Sequence, residues 1–271
     1  MQLFRITLIA ITSLVLFSCN GDSSDEEAQS NERTPAISYT VENHFSHDTT
    51  LFTEGFLCYQ GHFFESSGAP EELKQCKSVV GISDLTNGKF SPKIEIDRNK
   101  YFGEGIAVLN NKIYQLTYKN QKGFVYDLNT FKQLNEFTYT NKEGWGMTTN
   151  GKDLLMSDGT SAITFFDTAT LKPIKTLKVT ENGLLRDSLN ELEFIKGYLY
   201  ANIWLNNSVV KIDTATGKVI GKLDLSALTQ VAAMKNPKLD ALNGIAYDAQ
   251  TDKIYVTGKL WKNVYEIAFE H

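Results

Sequence analysis

The sequence predicts an all-β fold, a five-bladed β-propeller. Three observations carry that reading. A short motif of a polar or aromatic residue, then Gly or Glu, then an apolar residue recurs five times, as Glu54-Gly55-Phe56, Glu104-Gly105-Ile106, Trp145-Gly146-Met147, Asn190-Glu191-Leu192 and Asn243-Gly244-Ile245. The first residues of these copies lie 50, 41, 45 and 53 positions apart, and repeats of roughly this length, each worth one small antiparallel sheet, mark propellers. Each copy is followed by a Gly or Asn turn and an apolar-aromatic strand, and no long amphipathic helical pattern competes.

The chain opens with a targeting segment, residues 1–18. Arg5 precedes the apolar run Ile6 to Phe17, which suits a signal h-region and is short for a membrane span. The run ends in Leu16-Phe17-Ser18-Cys19. That resembles a bacterial lipobox, although Phe17 is bulky for the pattern; the alternative is an ordinary signal peptide with an incidental Cys. Both readings export the protein, to the periplasm or the cell surface, and a lipidated Cys19 would be its only link to the membrane. Residues 19–34 then form an acidic, flexible tether, poor in anything to bury. Residues 1–34 hold two Arg and five acids, so of the overall net charge of −5 only −2 falls on residues 35–271. A nearly neutral body excludes a nucleic-acid partner.

Residues 35–271 suffice for one β domain with a full core, and no linker composition interrupts them. Ile37 to Glu42 reads as a strand with no earlier partner. The last copy lacks a fourth strand before His271, so the N-terminal strand is expected to complete that blade and close the ring, hiding its edges. Within the blades, Gly61 to Glu65, Asn111 to Thr117, Gly197 to Asn202 and Asp252 to Thr257 follow turn residues and are rich in aromatic and β-branched types. A third strand ends on an acid at Asp127, Asp167 and Asp213, where Asx-type turns are expected. Leu225 to Met234 is a short helical candidate. His47-Asp48 reads as a turn ahead of the first motif, and Trp261 as blade packing. Glu191 and Glu193 should share one face, salt-bridged or solvated. Cys58 and Cys76 are read either as a disulfide, which export permits, or as two buried free thiols.

In a radial array the polar residue opening each motif occupies the same place in every blade. Glu54, Glu104, Trp145, Asn190 and Asn243 would then converge on one central opening, and convergent polar groups in a concavity are the default site. The motifs also carry a resemblance. Phe52-Thr53-Glu54-Gly55, Phe64-Glu65-Ser66-Ser67-Gly68, Phe102-Gly103-Glu104-Gly105, Gly144-Trp145-Gly146, Leu189-Asn190-Glu191-Leu192-Glu193, Ala201-Asn202-Ile203-Trp204, Leu242-Asn243-Gly244-Ile245 and Thr257-Gly258-Lys259 stand in order at blade-like spacing. From about His47 to Tyr265 the chain resembles the plant-type and bacterial glutaminyl-peptide cyclotransferases. That resemblance implies a five-bladed propeller that converts the N-terminal glutamine of peptides or proteins to pyroglutamate with release of ammonia. It assigns the catalytic carboxyl to Glu104, and Asn190, Lys259, Phe52, Phe102, Trp145 and Trp204 to the pocket. Two positions depart from it. Glu54 stands where plant members have Gln, which bears on the pH profile, and Tyr118 stands where Trp is usual, which bears on the fit of the aromatic wall.

The chemistry asked of these residues is an intramolecular aminolysis. A neutral α-amine attacks its own γ-carboxamide carbon, and ammonia must gain a proton to leave. One carboxyl placed between the two nitrogens can take the first proton and supply the second; Glu104 is the candidate, raised by desolvation and by Glu54 beside it. Asn190 and Lys259 are candidates for the developing oxyanion. The four His show no paired ligand spacing, so neither metal nor cofactor is expected. No Gly-x-Ser-x-Gly elbow suggests a hydrolase triad. Two other functions compete: a non-catalytic lipid-anchored binding module, and a metal-dependent lactonase-like hydrolase using Glu54, Glu104, Asn190 and Asn243 as oxygen ligands. Nothing in the sequence suggests more than a monomer.

Overall fold

Alternating apolar and polar residues, interrupted by Gly, Asn and Asp turns, fold each repeat into a four-stranded antiparallel sheet. The structure, a computed structural model, describes residues 33–271. The signal segment, Cys19 and the tether as far as Glu32 lie outside the described residues. The first blade comprises β2 (Phe52–Tyr59), β3 (His62–Gly68), β4 (Val79–Asp84) and β5 (Lys89–Glu95), after β1 (Thr40–Ser46). The second holds β6 (Gly103–Leu109), β7 (Lys112–Thr117), β8 (Lys122–Asp127) and β9 (Gln133–Thr138). The third holds β10 (Met147–Thr149), β11 (Leu154–Ser157), β12 (Ala162–Phe166) and β13 (Pro173–Lys178), followed by a hairpin of β14 (Thr180–Glu181) and β15 (Leu184–Leu185). The fourth holds β16 (Leu189–Ile195), β17 (Tyr198–Ile203), β18 (Ser208–Asp213) and β19 (Val219–Asp224). After α1 (Ser226–Lys235), where a helix was expected one residue earlier, the fifth holds β20 (Leu242–Asp248), β21 (Lys253–Gly258) and β22 (Asn263–Ala268). Strand order follows chain order in the first four blades, and the first strands β2, β6, β10, β16 and β20 contact one another around the centre.

The expected turns end the third strands. Asp127 Oδ1 accepts from the backbone and hydroxyl of Thr130, Asp167 Oδ1 does the same with Thr170, and Asp213 Oδ1 accepts from Ala215 N–H. These side chains satisfy the turn's backbone, so the chain reverses without a helix or a long loop.

The core lies between blades. Ile106, Ile113 and Phe124 of the second blade pack on Phe64 and Val80 of the first. Leu155, Ile163 and Phe165 of the third pack on Leu192, Leu199 and Val210 of the fourth. Each buried apolar side chain of this kind contributes about 1.5–3 kcal/mol, and truncating Leu155 to Ala should cost about 2–5 kcal/mol.

The ring closes as expected, with a shifted boundary. β1 pairs antiparallel with β22 from Thr40↔Ala268 to Ser46↔Asn263, completing the fifth sheet. It starts at Thr40 rather than Ile37, because the preceding residues bond to the fourth blade. Ile37 N–H donates to Lys222 O at 2.8 Å, and Lys222 N–H to Pro35 O at 2.9 Å. Gly221 makes this possible, since a Cβ there would lie 2.6 Å from Ile37 Cδ1.

Just beyond β1, His47 fastens the closure. Its Nδ1 lies 2.8 Å from Trp261 O, and its Nε2 lies 2.9 Å from Glu65 Oε1. An oxygen faces each ring nitrogen, an arrangement that suits the protonated imidazole. Burial opposes that charge; the Glu65 carboxylate, the Trp261 carbonyl and Asp48 together outweigh it, and the net direction of the His47 pKa is up. Trp261 is fully buried, as packing requires. Cys58 and Cys76 are both free thiols, which decides against the disulfide alternative.

Candidate active site at one end of the central channel

In four of the five blades the motif residues leave the regular ladder at the same place. Strand pairing slips between Thr53 and Gly55, Gly103 and Ile106, Leu189 and Leu192, and Leu242 and Ile245. Such bulges re-aim a side chain, and here they turn Glu54, Glu104, Asn190 and Asn243 out of the sheet, where all four are buried. In the third blade the motif precedes β10. Glycine lets the neighbouring blades approach there: a Cβ on Gly105 would lie 2.4 Å from Met147 N, and one on Gly146 2.2 Å from Asn190 O. The first strands begin, and the second strands end, at this end of the ring. Phe52, Phe102 and Trp145 therefore meet Tyr118, Trp204 and Lys259.

Two carboxyls and one ammonium form the centre. Lys259 Nζ donates to Glu54 Oε1 at 2.8 Å, with both side chains buried. Asn243 Nδ2 reaches Thr53 O at 2.9 Å and Glu54 Oε2 at 3.4 Å. Glu104 is the second buried carboxyl beside Glu54. Burial pushes Glu104 well above the usual carboxyl range, and the Glu54 charge adds to it. Burial also pushes Glu54 up, to about 7, against the pull of Lys259. The consistent arrangement has the proton on Glu104, beside a Glu54 carboxylate held by Lys259. Lys259 thus faces Glu54, and stands 4.5 Å from the centre of the Phe52 ring. Asn190 Oδ1 is buried with no protein partner, while Asn190 O accepts from Ser157 Oγ at 2.7 Å.

Aromatic side chains wall this centre in two groups. Phe102 meets Phe52 edge-on at 6.3 Å and Tyr118 at 5.9 Å between ring centres. Trp145 meets Trp204 edge-on at 5.4 Å. Both groups rest on glycines: a Cβ on Gly68 would lie 2.2 Å from the Phe102 ring, and one on Gly159 2.7 Å from the Trp145 ring. Backbone bonds from Tyr118 N–H to Phe102 O, Gly144 N–H to Tyr118 O and Trp204 N–H to Ser188 O fix the walls. Trp204 is 43% exposed, so it forms the rim.

All nine residues named from the sequence therefore lie at this end of the channel, although Trp145 turns into the wall rather than into the centre. Three contributors were not singled out as pocket residues. Asn243 grips Glu54, and its motif position was the available signal. Asn202 Oδ1 accepts from Gly244 N–H at 3.1 Å. Glu143 Oε2 accepts from Trp145 Nε1–H at 2.9 Å, and nothing in the sequence pattern marks it. Glu191 and Glu193 overturn one expectation. They share a face, but they are neither salt-bridged nor solvated. Glu191 takes the place that Gly holds in the other four motifs, and its oxygens accept from Phe56 N–H at 3.2 Å and Ile245 N–H at 2.8 Å. Glu193 accepts from Tyr247 N–H at 2.8 Å. Inward-facing backbone donors from other blades replace water and cations. Among the described residues, no three His, Cys, Asp or Glu side chains converge as metal ligands would.

A family model described as glutamine cyclotransferase matches residues 12–269. This chain belongs to that family. The glutaminyl-peptide cyclotransferase of Arabidopsis thaliana is 36% identical over 254 residues, covering 93% of this chain and 77% of the relative. The crystal structure of the Myxococcus xanthus glutaminyl cyclase superposes with a TM-score of 0.78 at 32% identity, covering 88% of this chain and 99% of that one. The match spans all five blades, so the cyclotransferase motifs quoted above sit on a shared framework rather than on isolated loops.

Proposed function

We propose that the Glu104–Glu54 pair is the proton shuttle of a cyclotransferase. The activity is that of the family: the chain closes an N-terminal glutamine of a peptide into pyroglutamate and releases ammonia. The observation that carries the mechanism is a pair of buried carboxyls, both with raised proton affinity, one of them paired with a buried lysine. The substrate α-nitrogen forms a bond to its own γ-carbon, and the bond from that carbon to the amide nitrogen breaks. The attacking amine gives up one proton, the leaving ammonia takes one, and a pair holding one shared proton is unchanged after the cycle. Ring closure already holds nucleophile and electrophile together, so the protein supplies rotamer and protons.

Phe52, Phe102, Tyr118, Trp145 and Trp204 would grip the aliphatic part of glutamine and exclude water. Asn190, with an unpartnered buried amide oxygen, would meet a polar atom of the substrate or, through its nitrogen, the oxyanion. Lys259 would act mainly by keeping Glu54 ionised. The chemistry proposed uses no metal. The experiment is ammonia release from a Gln-initiated dipeptide, with and without chelator, by wild type and Glu104→Gln. Release that survives chelation and collapses in the variant is the expected result; loss on chelation would sink the metal-free route.

We also propose that the protein is exported and held at a membrane surface by lipid on Cys19, acting as a monomer. The run Ile6 to Phe17 followed by Ser18-Cys19 supports this. Mass spectrometry of the mature N-terminus would detect the lipid, and its absence from Cys19 would refute the anchor.

A further inference from the structure

Of the five aromatic walls, only one makes a side-chain hydrogen bond. That one is the Trp145 indole, whose N–H is bound by the Glu143 carboxylate at 2.9 Å. Glu143 precedes the third motif and sits at the rim, with a side chain 28% exposed. Its other oxygen lies 3.8 Å from Lys119 Nζ, which is 65% exposed and lies 4.5 Å from the centre of the Tyr118 ring. A contact that long, to an ammonium mostly in water, leaves most of the carboxylate's charge in place.

We infer that Glu143 is a positioning residue of this site: it fixes the Trp145 indole as a wall of the pocket. The inference rests on the reading of this end of the channel as the substrate pocket. A charge-assisted hydrogen bond orients a ring far better than packing alone, and Trp145 packs against Trp204, the most exposed wall. A free indole would let that side of the pocket open.

Steady-state kinetics on a Gln-initiated dipeptide with a neutral second residue test this placement. Glu143→Gln keeps an amide oxygen for the indole, so its KM should stay within about twofold of wild type. Glu143→Ala removes the acceptor, so KM should rise roughly tenfold. Trp145→Phe keeps an aromatic wall without an N–H. In that background, Glu143→Ala should raise KM no further. An unchanged KM in Glu143→Ala, or an equal rise in both backgrounds, overturns the positioning role. Glu104→Gln, run alongside, reports on the shuttle itself: if that variant is active, the shuttle reading fails while the KM comparison still decides the placement of Trp145.

Discussion

Two pairs of buried glutamates lie around one channel, and they have been put to opposite uses. Glu54 and Glu104 sit where the channel opens into an aromatic pocket. Glu191 and Glu193 sit on β16, against the inner strands of neighbouring blades. In both pairs burial raises proton affinity. The difference lies in what compensates. Glu54 and Glu104 are balanced by each other and by Lys259, all of them side chains. Glu191 and Glu193 are held by backbone N–H groups of Phe56, Ile245 and Tyr247, which cannot move without dismantling a blade. A carboxyl free to exchange a proton beside a pocket is a catalyst; one locked on main-chain donors is a rivet.

The widest separation between the pairs should appear in Glu104→Gln, which removes the acid–base group but keeps the shape. Activity should fall by roughly 10²–10⁴-fold with little change in thermal midpoint, measured as ammonia release and as calorimetric melting. A variant that melts early instead would place Glu104 among the rivets. Next in size is Glu191→Ala. It strips the acceptor from two buried N–H groups, each worth about 1–3 kcal/mol when unsatisfied. Denaturant unfolding should show that loss, while turnover per folded molecule stays near wild type.

Glu193 gives a third contrast through pH. Burial pushes it up to about 8, so the folded state holds a proton that the unfolded chain releases near pH 4.5. Its stabilising effect is complete below that lower value and is lost as pH rises through about 8. Stability should therefore decline between pH 5 and 8, and Glu193→Gln should flatten the decline. The smallest effect belongs to Glu54→Gln. Removing a like charge lowers the proton affinity of Glu104, so the alkaline limb of the kcat profile should shift to lower pH. An unmoved limb would mean that the two carboxyls do not share a proton.

Much of this was legible in the sequence: the repeated motif gives blade number and strand order and draws Glu54, Glu104, Trp145, Asn190 and Asn243 to one opening, while Phe102, Tyr118, Trp204 and Lys259 were legible only through the resemblance to the cyclotransferases. What remained hidden depends on partners from other blades. Glu191 reads as one more acid until Phe56 of the first blade and Ile245 of the fifth are seen to point at it from opposite ends of the chain. Glu143 lies only two residues from Trp145, yet a spacing of two says nothing about an indole turning back onto it. The start of β1 was misplaced because Ile37 has strand character and does pair, but with Lys222 of the fourth blade, an edge that composition cannot announce.

The pairing of Thr40 with Ala268 has a consequence for how the molecule comes into being. The fifth sheet needs segments from both ends of the domain, so its ladder closes only after nearly the whole chain is present. Closing a loop of that size is entropically costly and slow. A ribosome-bound chain can build the first four blades in sequence, yet the ring stays unsealed. Deleting β22 alone would leave β1 with nothing to zip onto and His47 without the carbonyl of Trp261 in register. Such a truncation should fail as a whole, rather than yield a four-bladed remnant with a working pocket.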